Sequence, residues 1–189
     1  ELKSTSQLDT EVLNAITKTN ELGRHVVLHV MDQSKLGYQS PSEKLIQSLE
    51  QLDTLSMQII VDASQLRLDP KDIQNYLNKG CIVTITGSKY FTGPPYSGAL
   101  IVPKNVSQTI QDVTIKIPKG LNNYYNRTDW PIAWHCSSDL SEGFNYGSNM
   151  RWNAAIVEMD RYYKTPVLYR NMGIEMFCNF IEDSIKEAT

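Results

Sequence analysis

The chain has 189 residues and a mass of 21.5 kDa, enough for one ordinary domain with a helical extension and too little for two independent cores. With 18 Lys and Arg against 21 Asp and Glu the net charge is −3, so the whole-molecule field that draws in a nucleic acid or an acidic membrane is missing. No apolar run approaches the roughly 18–20 residues that span a bilayer.

From about Leu8 to Leu22, the spacing of Leu8, Val12, Leu13 and Ile16 predicts a helix with one apolar face, and Gly23 is its stop. His25–Met31 is a continuous apolar run with β-branched content, as expected of a parallel strand covered on both faces. Ser40-Pro41-Ser42-Glu43 has the form of a capping box with Ser40 as the cap, opening a helix whose buried stripe is Leu45, Ile46, Leu49, Leu52 and Leu55. Met57–Val61 makes a second strand that ends at Asp62. Asp69-Pro70 repeats the cap-plus-Pro signature and opens a short helix through Asn78, closed by Gly80. Cys81–Thr86 is a third strand and Gly98–Val102 a fourth. Between Pro118 and Asn149 the chain is rich in Asn, Tyr, Ser, Gly and Trp with little periodicity, so it is expected to be functional or packed on a partner. Met150–Tyr163 and Val167–Lys186 then form two helices split by Pro166. The alternation of strand and helix predicts an α/β sheet with helical cover.

Cys81, Cys136 and Cys178 are odd in number and lack any CxxC spacing, which argues against a disulfide framework and a zinc ribbon and fits a reducing cytoplasm. No metal-ligand set is evident. The chain opens at Glu1 without Met or a targeting segment, as expected of a piece of something longer.

Open α/β sheets bind ligands at the carboxyl ends of their strands, where loops and helix N-termini converge. Here those ends carry Asp32-Gln33-Ser34-Lys35, then Asp62-Ala63-Ser64-Gln65, then Thr86-Gly87-Ser88-Lys89. If the second and third strands are neighbours, their ends lie roughly 5 Å apart. Asp62 and Lys89 could then address opposite ends of one small aromatic ring. Pyridoxal phosphate chemistry makes that demand: a lysine forms a Schiff base at the aldehyde carbon, and a carboxylate keeps the para ring nitrogen protonated so that the ring draws electrons.

Val61-Asp62-Ala63-Ser64-Gln65, followed by Thr86-Gly87-Ser88-Lys89, Gly93-Pro94-Pro95 and Gly98-Ala99-Leu100, resembles the cofactor-binding core of fold-type-I pyridoxal-phosphate enzymes. It is most similar to the class V aminotransferase, cysteine desulfurase and kynureninase group. The resemblance covers about residues 25–102. It implies that Lys89 is the Schiff-base lysine, that Asp62 pairs with the pyridinium nitrogen, that Gln65 lies near the ring hydroxyl and that Ser88 contacts the phosphate. Ser34, in the loop after the first strand, is the candidate that touches the ring hydroxyl. Ser88 stands where many relatives have His or Gln.

The same resemblance implies a partial three-layer sandwich, its mostly parallel sheet of about four strands ending in an antiparallel one, followed by C-terminal helices. Residues 1–117 would be the second half of a pyridoxal-phosphate-binding large domain. Residues 118–149 would be an irregular connection, and 150–189 a helical segment leading toward a small domain. The expected function is that of an aminotransferase acting on a small-molecule amino acid or amine, homodimeric in the full-length protein, with the chain as given incomplete and inactive alone. The alternatives are a pyridoxal-phosphate-dependent lyase or desulfurase of the same fold, or a non-catalytic α/β interaction domain. Neither nucleic acid nor membrane is expected as a partner.

Overall fold

A computed structural model describes residues 3–52 and 56–188. Helix α1 (Thr5–Glu21) starts earlier than its apolar spacing suggests because Ser4 and Gln7 cap it reciprocally. The Ser4 hydroxyl accepts from the Gln7 amide at 3.3 Å, and the Gln7 carboxamide accepts from the Ser4 amide at 2.8 Å. Gly23 stops the chain there, at φ +68° with its amide donating to the Asn20 carbonyl. Of the expected apolar face, Ile16 is buried and Val12 and Leu13 are partly so, whereas Leu8 is exposed.

Four strands form one sheet in chain order: β1 (Val26–Met31), β2 (Met57–Asp62), β3 (Ile82–Thr86) and β4 (Gly98–Ile101). The first three are parallel and β4 is antiparallel to β3. A parallel fourth strand would need a crossover, usually helical, and residues 87–97 hold no helix. Val30, Val61, Val83 and Ile101 share one register row. The three valines are fully buried and cluster with Ile46 of α2 (Glu43–Glu50) and Tyr76 of α3 (Pro70–Asn78). Ile16, Leu45 and Leu49 form a second cluster that joins α1 to α2.

Cover on both faces of β1 is not what the structure has. Val30 is buried, but Val27 and Met31 are 51% and 48% exposed and His29 is exposed too. The run is apolar on both sides, yet only the face toward α1, α2 and α3 carries a helical layer along this strand.

Helix α2 also departs from expectation. Its N-cap is Ser42, which accepts from the Leu45 amide at 3.2 Å, because the Ser40 backbone is committed to two hydrogen bonds with Met31. The Ser42 amide in turn donates to Asp9 Oδ1 at 3.0 Å, so the start of α2 is fixed against α1. Leu45, Ile46 and Leu49 form the buried stripe, Leu52 lies exposed past the helix end, and Leu55 falls outside the described residues. Helix α3 begins and ends where the cap-plus-Pro signature places it, with the Asp69 carboxylate accepting from the Lys71 amide.

After β4 comes a short helix, α4 (Lys104–Gln111), that the sequence did not announce: no side chain caps its start. The following irregular stretch holds three short 3-10 turns, Lys119–Asn123, Arg127–Asp129 and His135–Asp139. Its own side chains tie it down, with Thr128 donating to the Gly143 carbonyl at 2.8 Å and Trp134 Nε1 to Ser107 Oγ of α4 at 2.9 Å. Helix α5 (Tyr146–Lys164) begins at Tyr146 rather than Met150, because Asn145 caps it at the Ser148 amide. Helix α6 spans Val167–Ala188. No helix among the described residues is long and apolar enough to cross a membrane.

Candidate active site

Met31, Asp62, Thr84 and Leu100 form one register row near the carboxyl ends of the parallel strands. Side chains alternate along a strand, and Val61 and Val83 point into the core, so this row points to the opposite, partly open face. Asp62 Oδ1 accepts from the Ser64 amide at 2.9 Å and from the Thr84 hydroxyl at 3.4 Å. Burial by itself would raise the Asp62 carboxyl, but these hydrogen bonds and the positive charge of Lys89 outweigh it and hold the group below its ordinary value. It is therefore an ionised carboxylate at neutral pH. The Lys89 side chain is exposed and near enough for its charge to act on Asp62, and no direct ion pair joins the two among the described residues.

Hydroxyl groups bridge the ends of β2 and β3. Thr86 Oγ1 donates to the Ser64 carbonyl at 3.0 Å, and Ser88 Oγ reaches Thr86 Oγ1 at 3.5 Å, long for a hydroxyl pair. Asp62 and Ser88 are thus linked through Ser64 and Thr86, and Lys89 follows Ser88 in the chain. Gln65 and Ser34 are not linked to them by any described contact. Gln65 sits in the tight turn that the Leu66 amide closes on the Ala63 carbonyl at 2.7 Å, and its half-buried carboxamide has no hydrogen-bond partner among the described residues. Ser34 closes its own turn: its hydroxyl accepts from the Tyr38 amide at 3.0 Å, and its amide donates to the Tyr38 carbonyl at 2.9 Å.

The loop that carries Lys89 is built as a rigid base. The Gly87 amide donates to the Ser97 carbonyl at 2.9 Å, and the Gly93 amide to the Gly87 carbonyl at 2.8 Å. Fully buried Ala155 of α5 sits on both glycines. A Cβ on Gly87 would collide with Ala155 Cβ, and one on Gly93 would come within 2.7 Å of it and 2.5 Å of the Gly87 oxygen. Next to Lys89, the Tyr90 hydroxyl meets that of Tyr162 at 3.1 Å, Phe91 packs edge-on against both rings, and the Arg170 guanidinium lies 4.2 Å over Tyr162. The Tyr162 hydrogen bond and burial push the Tyr90 phenol up to about 12. Lys89 is consequently an exposed amine on a backbone pinned by α5.

Ser64, Thr84 and Thr86 are the site residues that motif spacing missed. Thr84 and Thr86, two apart on a strand that ends at the site, share Asp62's face, which was a usable signal. Asp32, named at the end of the first strand, was given no role by its spacing. It follows Met31, so it points the other way, and its 8% exposed carboxylate accepts from the Tyr76 hydroxyl at 2.7 Å, which itself accepts from Gln39 Nε2 at 2.9 Å. The Asp32 amide donates to the Asp62 carbonyl at 3.0 Å, tying the first strand end to the second. A cleft of about 230 Å³ beside it is lined by Asp32, Glu43, Asp72, Tyr76 and Lys79 among others.

The chain matches no protein-family model, no curated protein and no solved structure.

Proposed function

We propose that this chain is the later half of the large domain of a fold-type-I pyridoxal-phosphate enzyme acting on an amino acid or amine, with transamination the foremost reaction. The proposal rests on one convergence: an ionised Asp62 at the end of β2 and an exposed Lys89 in the loop three residues past the end of β3, near enough for the lysine's charge to act on the carboxylate. Elimination or desulfuration would draw on the same two residues. The assembly proposed for the full-length protein is a homodimer.

The donor set suits the cofactor. Asp62 stays charged because Ser64 and Thr84 donate to it, and a charged carboxylate is what holds a ring nitrogen protonated. Lys89 offers a primary amine to which no carboxylate is bonded among the described residues, while Ser88 offers a hydroxyl donor one residue away. When bound, the cofactor supplies an aldehyde that condenses with amines and a ring that withdraws electrons. The protein's share is orientation: the hydroxyl bridge fixes Asp62, and the Gly87–Ser97 loop under Ala155 fixes the backbone of Lys89.

Covalent capture tests this. The full-length protein that contains this chain is incubated with pyridoxal 5′-phosphate, reduced with borohydride and mapped by peptide mass spectrometry. Label should concentrate on Lys89 and vanish from that peptide in Lys89→Ala. Asp62→Asn removes a charge-assisted contact worth about 1.5–3 kcal/mol, so half-maximal labelling should need roughly 10–100 times more cofactor. Label spread evenly over the exposed lysines, indifferent to Asp62, would sink the assignment.

A further inference from the structure

Every described residue of α6 except Arg170 is exposed, Met176, Phe177 and Phe180 among them. Arg170 folds back onto α5 instead, with its guanidinium carbon 4.2 Å from the centre of the Tyr162 ring and 5.6 Å from that of Tyr163. Its Nε is buried and without an acceptor, and no carboxylate pairs with the group among the described residues. Nearby Arg161 and Lys164, by contrast, are paired with Glu158 and Asp160 of their own helix.

The Tyr162 hydroxyl meets that of Tyr90 at 3.1 Å. Two hydroxyls joined by one hydrogen bond use one of their two protons, so one O–H remains to be donated, and no other partner takes it among the described residues. The Tyr90 phenol, pushed up to about 12, keeps its proton at neutral pH. A second guanidinium, that of Arg67 in the stretch after β2, is near enough for its charge to act on Tyr90, and its one hydrogen bond among the described residues is a long one of 3.4 Å to the Lys35 carbonyl. The carboxylate felt by Tyr163, that of Asp69, already accepts from the Lys71 amide at the start of α3.

We infer that Arg170, Arg67 and the Tyr90–Tyr162 hydroxyl pair bind an oxyanion, the carboxylate or phosphate group of a small molecule, beside the loop that carries Lys89. The cluster offers donors and positive charge from three separate stretches of chain. A cation would be repelled by both guanidinium groups and a neutral ligand would leave them unneutralised, whereas an oxyanion accepts from a guanidinium edge while the aromatic stack fixes the plane of that edge. The inference stands apart from the cofactor chemistry proposed above, since none of these four residues is assigned to the cofactor.

Nuclear magnetic resonance of the full-length protein that contains this chain tests it, with sodium phosphate and sodium acetate as the probes and chloride holding the ionic strength constant. The Arg170 side-chain N–H signal, assigned by its loss in Arg170→Met, should shift and saturate below about 10 mM anion. Tighter saturation by phosphate assigns a phosphoryl ligand, and by acetate a carboxylate. Tyr90→Phe with Tyr162→Phe, which keeps both rings, should weaken binding roughly 10–100-fold, and Arg67→Met roughly 2–5-fold. Arg161→Met, which removes the same charge one residue from Tyr162, should leave binding unchanged. An Arg170 signal that neither anion moves, binding that survives the double phenylalanine substitution, a loss in Arg161→Met equal to that in Arg67→Met, or a loss in Ser88→Ala, which would put the anion at the cofactor site, each overturn the proposal.

Discussion

Asp32 and Asp62 end neighbouring strands, and a one-residue difference in position sends their carboxylates to opposite faces with opposite consequences. Burial raises the Asp32 carboxyl above its ordinary 3.8, and nearby Asp72 and Glu43 add to the rise, while the Tyr76 hydrogen bond opposes it. The stabilising contribution of such a group is complete below 3.8 and is lost as pH climbs through its raised folded value. Asp62 works the other way, contributing above 3.8 and losing that contribution as pH falls through its lowered folded value. Asp32→Asn keeps an acceptor for Tyr76 but removes the buried charge. Its thermal midpoint should exceed that of the parent chain at neutral pH, with the difference closing below pH 3.8 in a series of melts. That Asp62 and Lys89 lie near one another was legible because the ends of neighbouring strands in a parallel sheet converge whatever the details of packing. Ser34 and Gln65 were less so: short polar side chains in turns first satisfy, or sit within, the turn itself.

At the scale of elements, the glycines around Lys89 acquire a meaning that spacing could not supply. They resemble a cofactor loop, and in the fold they seat α5, whose Ala155 leaves no room for a side chain at either position. Gly87→Ala should cost about 1–3 kcal/mol, measured as a lower urea midpoint, and Ala155→Gly should return much of it because the colliding atom is Ala155 Cβ. Gly93→Ala should resist that rescue, since the Gly87 carbonyl oxygen also blocks it. Helix α3 was legible because its cap, its proline and its end lie within one short stretch. The true start of α2 was hidden, as Ser40 and Ser42 are equally good caps and only the pairing of Ser40 with Met31 chooses between them. Helix α4 was missed because it begins without a side-chain cap.

For the whole molecule, the governing fact is a sheet with one complete helical layer. Val30 lies under that layer and Val27 on the other side, half exposed. Val30→Ala should therefore cost on the order of 2 kcal/mol in denaturant unfolding and Val27→Ala less than about 0.5 kcal/mol. Equal costs would mean that a second layer covers β1. The second face, where exposed Met31 and Leu100 stand at the two ends of the row that holds Asp62 and Thr84, is also where the candidate site lies, so that site and the missing cover share one surface. Apolar patches of this extent, on the sheet and along α6, are rare on isolated soluble chains and mark contact surfaces.

Strand identity, the α/β class and the residues at the strand ends were settled by sequence alone, because periodicity, caps and β-branched runs act within a few residues of one another. Which cap opens α2, which side of β1 meets water, and what the glycines beside Lys89 are for were decided only in three dimensions. Each depends on a partner distant in sequence, Met31 for Ser40, the helical layer for Val30 and Ala155 for Gly87, and no local pattern encodes how such segments meet.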